Sequence, residues 1–384
     1  MSMSRYQTPG IYRQDSFERP LAALQTGVPV FLGVAARQPD SRVQRLTLWQ
    51  QFVDQLGEPL ADSYLGPAVR GFFANAGQLC YVVRLGDSTP AELATGLAQI
   101  AQIDMIDLVC APDCMRPAQL GLGLDLAVVQ AMQQALLDHC AQLGDRFAIL
   151  DALPGSDPPS VLAQRQRLNG SDGALYYPWV GVAAGVGQAV RFVPPCGHVA
   201  GVFARSDRAT GVHKAPANEP LSEVLDLERN LTNADQAGLN PAGINCIRSF
   251  PGHGMRVWGA RTLSRDSAWA YINVRRLFLT AGRWIERNLT GAVFEPNGPR
   301  LWARIERELR GYFRQLYERG ALHGASLEEA FYVKCDAETN PPEVREQGKV
   351  VTEIGLAPAL PAEFVVVRIV HGVGGVTIVG PSQP

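Results

Sequence analysis

Apolar residues between Trp269 and Phe331 recur twice with the period of an α-helix. In the first stretch they fall three or four residues apart on one face: Val274, Leu277, Phe278, Ala281 and Ile285. The second stretch repeats the spacing with Leu301, Ile305, Leu309, Tyr312, Phe313 and Leu316. The segment GAVFEPN between the helices predicts a short strand, and residues 331–335 predict another. We expect this helix-strand-helix-strand unit to form a core around which the rest of the chain is organised.

Strand and helix patterns also alternate through the first 151 residues. Short β-branched or aromatic runs predict strands, and apolar residues three or four apart predict the helices between them. The predicted strands are residues 28–34, 80–85, 106–110 and 147–151, and the predicted helices are residues 46–56, 65–75, 91–103 and 124–143. This rhythm is typical of parallel strands joined by helical crossovers. The predicted fold class is therefore α/β, with helices packed on a mixed sheet.

The two ends of the chain predict extended segments. Residues 1–20 contain few apolar residues, so they predict either a frayed terminus or an arm that becomes ordered on another subunit. Near the other end, EFVVVRIV at Glu363–Val370 predicts a strong strand, followed by the Gly-rich GVGGVTIVG. A terminal strand of this kind is an aggregation hazard when unpaired, so we expect it to pair with something.

Composition and charge exclude several classes of protein. Hydrophobic residues make up 46% of the 384 residues, which is enough for a sizeable core. The net charge of −2 and the lack of a basic block argue against a nucleic-acid partner. The amino terminus has no apolar signal-peptide region, and no apolar run is long enough to span a membrane. Seven scattered cysteines predict reduced thiols, so we expect assembly in the cytoplasm without direct contact with a membrane.

Candidate chemistry is sparse. Asp113 and Asp151 follow predicted strands, where catalytic carboxylates gather in open sheets, but cap and loop aspartates also occupy such positions. Cys110, Cys114 and the His139-Cys140 pair match no common zinc spacing. Gly121-Leu122-Gly123 lacks the third glycine of a dinucleotide fingerprint, and His253 lies in the turn-forming sequence PGHG. The sequence therefore predicts no metal or cofactor and does not require an enzyme.

Several motifs resemble the contractile tail sheath family. TPGIY and VPVFLGVA resemble its amino-terminal segment, and HKAPAN followed by LERNLTNADQAGLNPAGINCIRSFPGHGMRVWGARTLS resembles its middle. YINVRRLF, FEPN, LWARI, AFYVKCD and PAEFVVVRI resemble its carboxyl-terminal domain. The matching segments are collinear and cover most of the chain from residue 199, while residues 87–198 resemble the family only loosely. The short length is similar to that of sheaths from extracellular contractile injection systems.

The resemblance implies a structural subunit that stacks as hexameric rings around an inner tube. It implies an inner domain of residues 21–86 and 215–361, an inserted outer α/β domain of residues 87–214, and linking arms at residues 1–20 and 362–384. In the arms we expect strand exchange with neighbouring copies through eight residues: Ile11, Tyr12, Phe17, Phe364, Val365, Val366, Val367 and Ile369. The basic residues that could contact the tube or another subunit are Arg275, Arg276, Arg283 and Arg287.

The partners that the resemblance implies are further copies of the chain, the inner tube protein, baseplate and tail-terminator proteins, and other sheath paralogues. The particle would be released by lysis or anchored to a membrane through other components. Two alternatives stay open at this stage. One is a tail terminator or baseplate component that uses the sheath fold, and the other is an α/β hydrolase-like enzyme that uses Asp113 and Asp151.

Overall fold

The computed structural model describes residues 24–39, 41–117, 123–183, 189–363, 368–372 and 375–379. In chain order the strands are β1 Pro29–Val34, β2 Val43–Leu46, β3 Cys80–Leu85, β4 Leu108–Cys110, β5 Phe147–Asp151, β6 Gly173–Tyr177, β7 Val180–Ala183, β8 Val190–Val193, β9 Glu219–Pro220, β10 Asp226–Leu227, β11 Ile244–Phe250, β12 Gly254–Trp258, β13 Phe331–Lys334, β14 Glu353–Leu356, β15 Arg368–Gly372 and β16 Gly375–Val379.

The helices alternate with these strands, as the sequence predicts. They are α1 Trp49–Leu56, α2 Leu65–Ala74, α3 Pro90–Ile100, α4 Leu126–Leu143, α5 Pro158–Gln166, α6 Cys196–Ala209, α7 Asn233–Leu239, α8 Ile272–Leu289, α9 Pro299–Glu318, α10 Leu327–Ala330 and α11 Pro342–Glu346. Short 3-10 turns lie at Pro112–Met115, Ser267–Trp269 and Thr290–Ala292. None of the helices among the described residues combines the length and the apolar character needed to cross a bilayer.

A nine-stranded sheet with the order β2-β3-β1-β4-β5-β6-β11-β12-β9 organises residues 24–263, which we call the sheet unit. The six strands from β3 to β11 in this order run parallel, and β2, β12 and β9 pair antiparallel at the edges. Helices α1, α2 and α6 bury one face of the sheet, and α3, α4, α5 and α7 bury the other. The prediction of parallel strands with helical crossovers is therefore confirmed.

The sheet crosses the domain boundary predicted near residue 86. Strands β1 and β3 belong to the predicted inner domain, whereas β4, β5 and β6 belong to the predicted insertion, and all five lie in one sheet. The turn at residues 86–89 leads directly into α3, which crosses over to the next parallel strand. Residues 87–214 therefore do not fold as a separate insertion. Which surface faces outward in an assembly stays a prediction.

Residues 264–363 form a second unit, the C-terminal unit, around α8 and α9. Both predicted helices are present, and their apolar faces pack together with the antiparallel pair β13–β14. The rings of Trp284 and Tyr312 stack with centroids 4.0 Å apart between the two helices. The strand predicted at GAVFEPN is wrong, because this segment forms a 3-10 turn and a loop whose Val293 and Phe294 are exposed.

Leu309 tests whether the α9 face is core. Its side chain is fully buried among the residues of the C-terminal core. We expect Leu309→Asp to unfold the protein, because a buried, unpaired carboxylate costs several kcal/mol. Gln315→Asp, at an exposed position of the same helix, should leave the thermal unfolding curve unchanged. A folded Leu309→Asp protein that is defective only in assembly would show that this face is an interface.

Part of the predicted arms lies outside the described residues. This part comprises Ile11, Tyr12, Phe17, Phe364, Val365, Val366 and Val367. Ile369 lies in β15, which pairs antiparallel with β16, and Ile369 stands opposite Ile378. This pairing extends the predicted strand into a hairpin, and among the described residues the hairpin is a sheet of two strands only.

Candidate functional site: a buried charge network and two assembly surfaces

A buried ion-pair network joins helix α8 to the sheet unit. The Nη1 and Nη2 atoms of Arg276 donate to both carboxylate oxygens of Asp207 on α6, at 2.8 and 2.6 Å. Nη2 also donates to Oδ2 of Asp107, the residue just before β4, at 3.0 Å. The guanidinium lies 4.9 Å from the ring centroid of Phe203, so an aromatic face covers it as well. Arg276 is 2% exposed, and this bidentate geometry fixes the direction in which α8 leaves the sheet.

Asp107 extends the network to the start of the sheet. Its carboxylate accepts hydrogen bonds from the backbone nitrogens of Gly27 at 3.0 Å and Val28 at 2.6 Å. Arg283, two turns beyond Arg276, places Nη1 3.9 Å from Oδ2 of Asp107, and its Nη2 donates to the carbonyl of Asp104 at 2.7 Å. One carboxylate therefore connects the segment before β1, the segment before β4 and helix α8.

The network keeps its central arginine charged although it is buried. Burial lowers the pKa of Arg276, but the carboxylates of Asp207 and Asp107 raise it by more, so the guanidinium stays charged. Two arginines face two aspartates, and most of their hydrogen-bonding groups are satisfied within the subunit. These buried ion pairs connect the C-terminal unit to the sheet unit.

Burial corrects the predicted set of basic contact residues. Arg276 and Arg283 are 2% and 6% exposed, so neither can reach a tube or a neighbouring subunit from this position. Arg275 is half-buried, with its Nε 2.7 Å from Oδ1 of Asp172 and its guanidinium over the ring of Trp269. Among the four predicted residues, only Arg287 is exposed. Helical periodicity did not predict the burial of these arginines, because α8 packs against both the sheet unit and the C-terminal unit.

A second ion pair holds the root of the C-terminal arm. The guanidinium of Arg261 binds both oxygens of Glu363, with Nε 3.0 Å from Oε1. Glu363 is the last described residue before positions 364–367. Arg261 also lies 4.8 Å from the ring centroid of Tyr271, at the start of α8. Glu363, at the start of the predicted arm, is therefore fixed to the body.

The pair β13–β14 presents strand edges in the C-terminal unit. Its register runs from Phe331 opposite Leu356 to Lys334 opposite Glu353, and within the described residues neither strand adds a third partner. Phe331 and Val333 point into the core, whereas Tyr332 is 54% exposed. Open edges of this kind can accept a further strand by main-chain hydrogen bonding.

Asp113 has a structural role. It is 1% exposed, and its carboxylate accepts hydrogen bonds from the backbone nitrogens of Val34 and Tyr64 and from the Ser63 hydroxyl, at 2.6 to 2.8 Å. Burial raises the pKa of this carboxyl, and these hydrogen bonds oppose the rise. A Cβ at Gly33 would lie 2.7 Å from Oδ2 of Asp113, so the approach requires glycine. The carboxylate ties β1 to the start of α2.

Asp151 occupies the amino-terminal end of α6. Its Oδ1 accepts a hydrogen bond from the backbone nitrogen of Cys196, the first residue of that helix, at 2.8 Å. The side chain is buried, and burial raises its pKa to about 7. Asp151 and Asp113 are thus structural cap and loop aspartates, which was one of the two interpretations of the sequence. They do not form an exposed acid–base pair.

The raised pKa of Asp151 predicts a pH-dependent stability. Between about pH 4 and pH 7 the unfolded chain loses this proton while the folded chain keeps it, so stability falls as pH rises. We expect Asp151→Asn to gain a few kcal/mol over the wild type between about pH 4 and pH 8, at about 1.4 kcal/mol per pKa unit. Urea unfolding at both pH values measures this difference.

Asp157 provides the matched control. Its carboxylate accepts a hydrogen bond from the backbone nitrogen of Ser160, and this bond lowers its pKa. Asp157→Asn should therefore be slightly less stable than the wild type, by an amount that stays nearly constant over this pH range, because a lowered pKa titrates below it. An Asp151→Asn protein whose advantage over the wild type does not change with pH would contradict the assignment.

The remaining sequence candidates do not form a site. Cys110, Cys114 and Cys140 are buried free thiols, and burial lowers the pKa of His139 to about 4. Across the described residues, no cluster of three His, Cys, Asp or Glu side chains could hold a metal. His253 is exposed in the β11–β12 turn. Gly121 and Leu122 lie outside the described residues.

The sequence interpretation missed the Arg276 network. Arg276 lies between the buried residues Val274 and Leu277, and an arginine flanked by core positions is a signal for a buried ion pair. Its partners Asp107 and Asp207 are 169 and 69 residues away. Nothing in local spacing could identify them.

Comparison with known proteins agrees with this architecture. Residues 99–263 match the phage tail sheath protein central domain, and residues 264–371 match the phage tail sheath C-terminal domain. The boundary between the two matches is the boundary between the sheet unit and the C-terminal unit.

Sequence relatives and solved structures that resemble this chain are also tail sheath proteins. The helical sheath of the anti-feeding prophage in its contracted state is 31% identical, with a TM-score of 0.79 over 96% of this chain and 100% of that one. The contracted sheath complex of the PVC extracellular contractile injection system is 27% identical, with a TM-score of 0.75 over 97% and 99%. The tail sheath protein of Salmonella phage ViI is 29% identical over 59% of this chain but only 37% of its own length. The chain belongs to the phage tail sheath family.

Proposed function

We propose that this chain is the structural subunit of a contractile tail sheath. In this proposal it polymerises as stacked hexameric rings around an inner tube and contracts to drive the tube through a target envelope. The observation that carries the proposal is the similarity, over nearly the whole length of both chains, to two sheaths solved in the contracted state. The function needs no catalytic group and no cofactor.

Strand exchange links the copies in this proposal. Each subunit lends its amino-terminal arm, with Ile11, Tyr12 and Phe17, and its carboxyl-terminal strand, with Phe364 to Val367 and Ile369, to its neighbours. The open edges of β13–β14 are the acceptors that the fold offers. The Arg261–Glu363 ion pair holds the arm at its root, so tension on the arm is transmitted to the body.

The Arg276 network supports rigid-body movement during contraction. Because buried ion pairs connect the sheet unit and the C-terminal unit, the subunit can rotate without changing its internal packing. The main-chain hydrogen bonds of the exchanged strands keep the copies joined while they rotate. Contraction then releases free energy stored between subunits.

In this proposal, exposed arginines rather than the buried ones make the basic contact with the tube. Arg287 remains from the predicted set, and three exposed arginines recur seven residues apart along α9: Arg300, Arg307 and Arg314. Residues spaced by seven lie on one side of a helix, so these three form a single positive stripe. A weak electrostatic match of this kind lets the sheath slide on the tube during contraction.

A tail-terminator or baseplate role is the second candidate. A baseplate structure of the anti-feeding prophage contains a chain that is 31% identical to this one, with a TM-score of 0.78 over 96% of this chain. In either role we propose that the partners are further copies, paralogues, the tube protein and the baseplate. The particle assembles in the cytoplasm and is released by lysis or anchored through other components.

Electron microscopy of the purified chain, with and without the tube protein, separates the two roles. A sheath subunit forms long tubes of stacked rings, whereas a terminator forms a single ring that does not lengthen. Asp151→Asn, which keeps an acceptor oxygen for the Cys196 nitrogen, should form the same tubes as the wild type, so assembly would not depend on the carboxylate that the enzyme alternative requires. Single rings under every condition would contradict the sheath proposal.

A further inference from the structure

The loop between α8 and α9 presents a fully exposed aromatic side chain. Phe294 is 102% exposed, and Val293 beside it is 58% exposed. The backbone of Phe294 has φ +68°, in the left-handed region that a bulky side chain rarely adopts. This exposure and strain do nothing for the stability of the subunit, and such strain clusters at functional sites.

The loop holds Phe294 in place by bonds on both sides. Nη2 of Arg304 donates to the carbonyl of Gly291 at 2.9 Å, and the same guanidinium pairs with Glu295. On the other side, Asn297 accepts a hydrogen bond from Nε1 of Trp302 at 2.9 Å and donates to the carbonyl of Lys349 at 2.8 Å. Phe294 is therefore pre-organised for contact, which reduces the entropy lost on binding.

The sheet unit carries a cavity of about 450 Å³ that suits such a side chain. It opens between α2, α6 and the β7–β8 pair, and its apolar lining includes Trp49, Pro59, Pro67, Val182 and Leu225. The buried His198 also lines it, and Nδ1 of that ring has no hydrogen-bond partner. Leu225 is 58% exposed, so the apolar lining continues onto the surface.

We propose that the Val293–Glu295 loop of one copy inserts Phe294 into this cavity of the next copy. The loop lies in the C-terminal unit and the cavity in the sheet unit, so the contact is heterologous. A heterologous contact between identical copies generates a ring or a helix. The inference rests on the proposed sheath function and adds a specific side-chain contact to it.

Charges at the two surfaces match this arrangement. Glu295 follows Phe294, and Arg70 lies at the edge of the cavity. In the single subunit Glu295 pairs with Arg304, and Arg70 lies 3.3 Å from Glu223. The Arg70–Glu223 pair is solvent-exposed and therefore weak, so Arg70 can also pair with Glu295 across the contact at small cost while Glu295 keeps its pair with Arg304.

Phe294→Ala tests the contact in the full chain. The subunit should unfold at the wild-type temperature or higher, because Phe294 packs against nothing in the single copy. The concentration needed for polymerisation should rise by roughly 30-fold, the effect of removing a central aromatic anchor. Leu126→Ala, at another exposed apolar position, should polymerise like the wild type. A Phe294→Ala protein that also polymerises like the wild type would overturn the inference.

Disulfide trapping locates the partner surface directly. Copies with Phe294→Cys, mixed with copies carrying Leu225→Cys and then oxidised, should form a disulfide-linked dimer of the two variants. Phe294→Cys mixed with Leu126→Cys should not. Crosslinks that form equally well with Leu126→Cys, or between two Phe294→Cys copies, would contradict the contact. Because the dimer forms without long polymers, this result is separable from a failure of the sheath proposal.

Discussion

Removal of residues 1–17 should leave a folded monomer and abolish assembly into long sheaths. The described cores contain residues from Val28 onward, so we expect the two units to fold without this segment. The polymer does depend on it, because the arm supplies main-chain hydrogen bonds between copies in the proposed strand exchange. Circular dichroism and size exclusion report the fold, and electron microscopy reports the loss of tubes. Removal of the residues after Ala362 should have the same two effects.

A variant of unchanged length tests whether assembly depends on the apolar side chains of the arm or only on its length. Ile11, Tyr12 and Phe17 replaced together by Ser keep the chain length and main-chain donors but remove the apolar anchors. We expect this variant to assemble only at much higher concentration than the wild type, and to unfold at the same temperature. Regular long sheaths from either truncated chain would contradict strand exchange.

Arg276→Met should destabilise the isolated subunit by about 3–5 kcal/mol. The methionine fills the space of the arginine stem but leaves the carboxylates of Asp207 and Asp107 buried with one fewer cation. Urea unfolding of the full chain measures the loss. Because protonation removes the uncompensated charge, the deficit relative to the wild type should shrink at low pH.

Two further variants make the Arg276 result specific. Arg287→Met, on the exposed side of the same helix, should change stability by no more than about 0.5 kcal/mol. The double variant Arg276→Met/Asp207→Asn should recover part of the loss, because it removes one of the two stranded charges. Equal stability of Arg276→Met and Arg287→Met would show that the network does not hold the two units together.

Structural features that depend on residues close together in the sequence were predictable. The apolar faces of α8 and α9 follow directly from spacing, and Leu309 lies in the core as that spacing requires. Alternating strands and helices correctly predicted a parallel sheet, because right-handed helical crossovers leave few other topologies. The family resemblance depended on motifs spread along the chain, and the matched domains confirm it.

Features that depend on distant residues were not predictable. The resemblance implied a domain boundary after residue 86, yet β4 pairs with β1 across it, and strand pairing between distant segments leaves no local mark in the sequence. Arg275, Arg276 and Arg283 looked like a basic surface because the aspartates that pair with them lie far away along the chain. GAVFEPN has the composition of a strand, but no described strand lies beside it, and the Arg304 and Asn297 hydrogen bonds make it a loop.

A cryo-electron microscopy map of the assembled polymer that traces the main chain is the most direct measurement of how copies join. We predict that the amino-terminal arm and the carboxyl-terminal strand of each subunit leave its body and pair with the β13–β14 edges of neighbouring subunits. We also predict that the sheet unit and the C-terminal unit keep the relative placement fixed by Arg276. A map in which both termini fold back on their own subunit, with no strand shared between copies, would contradict strand exchange.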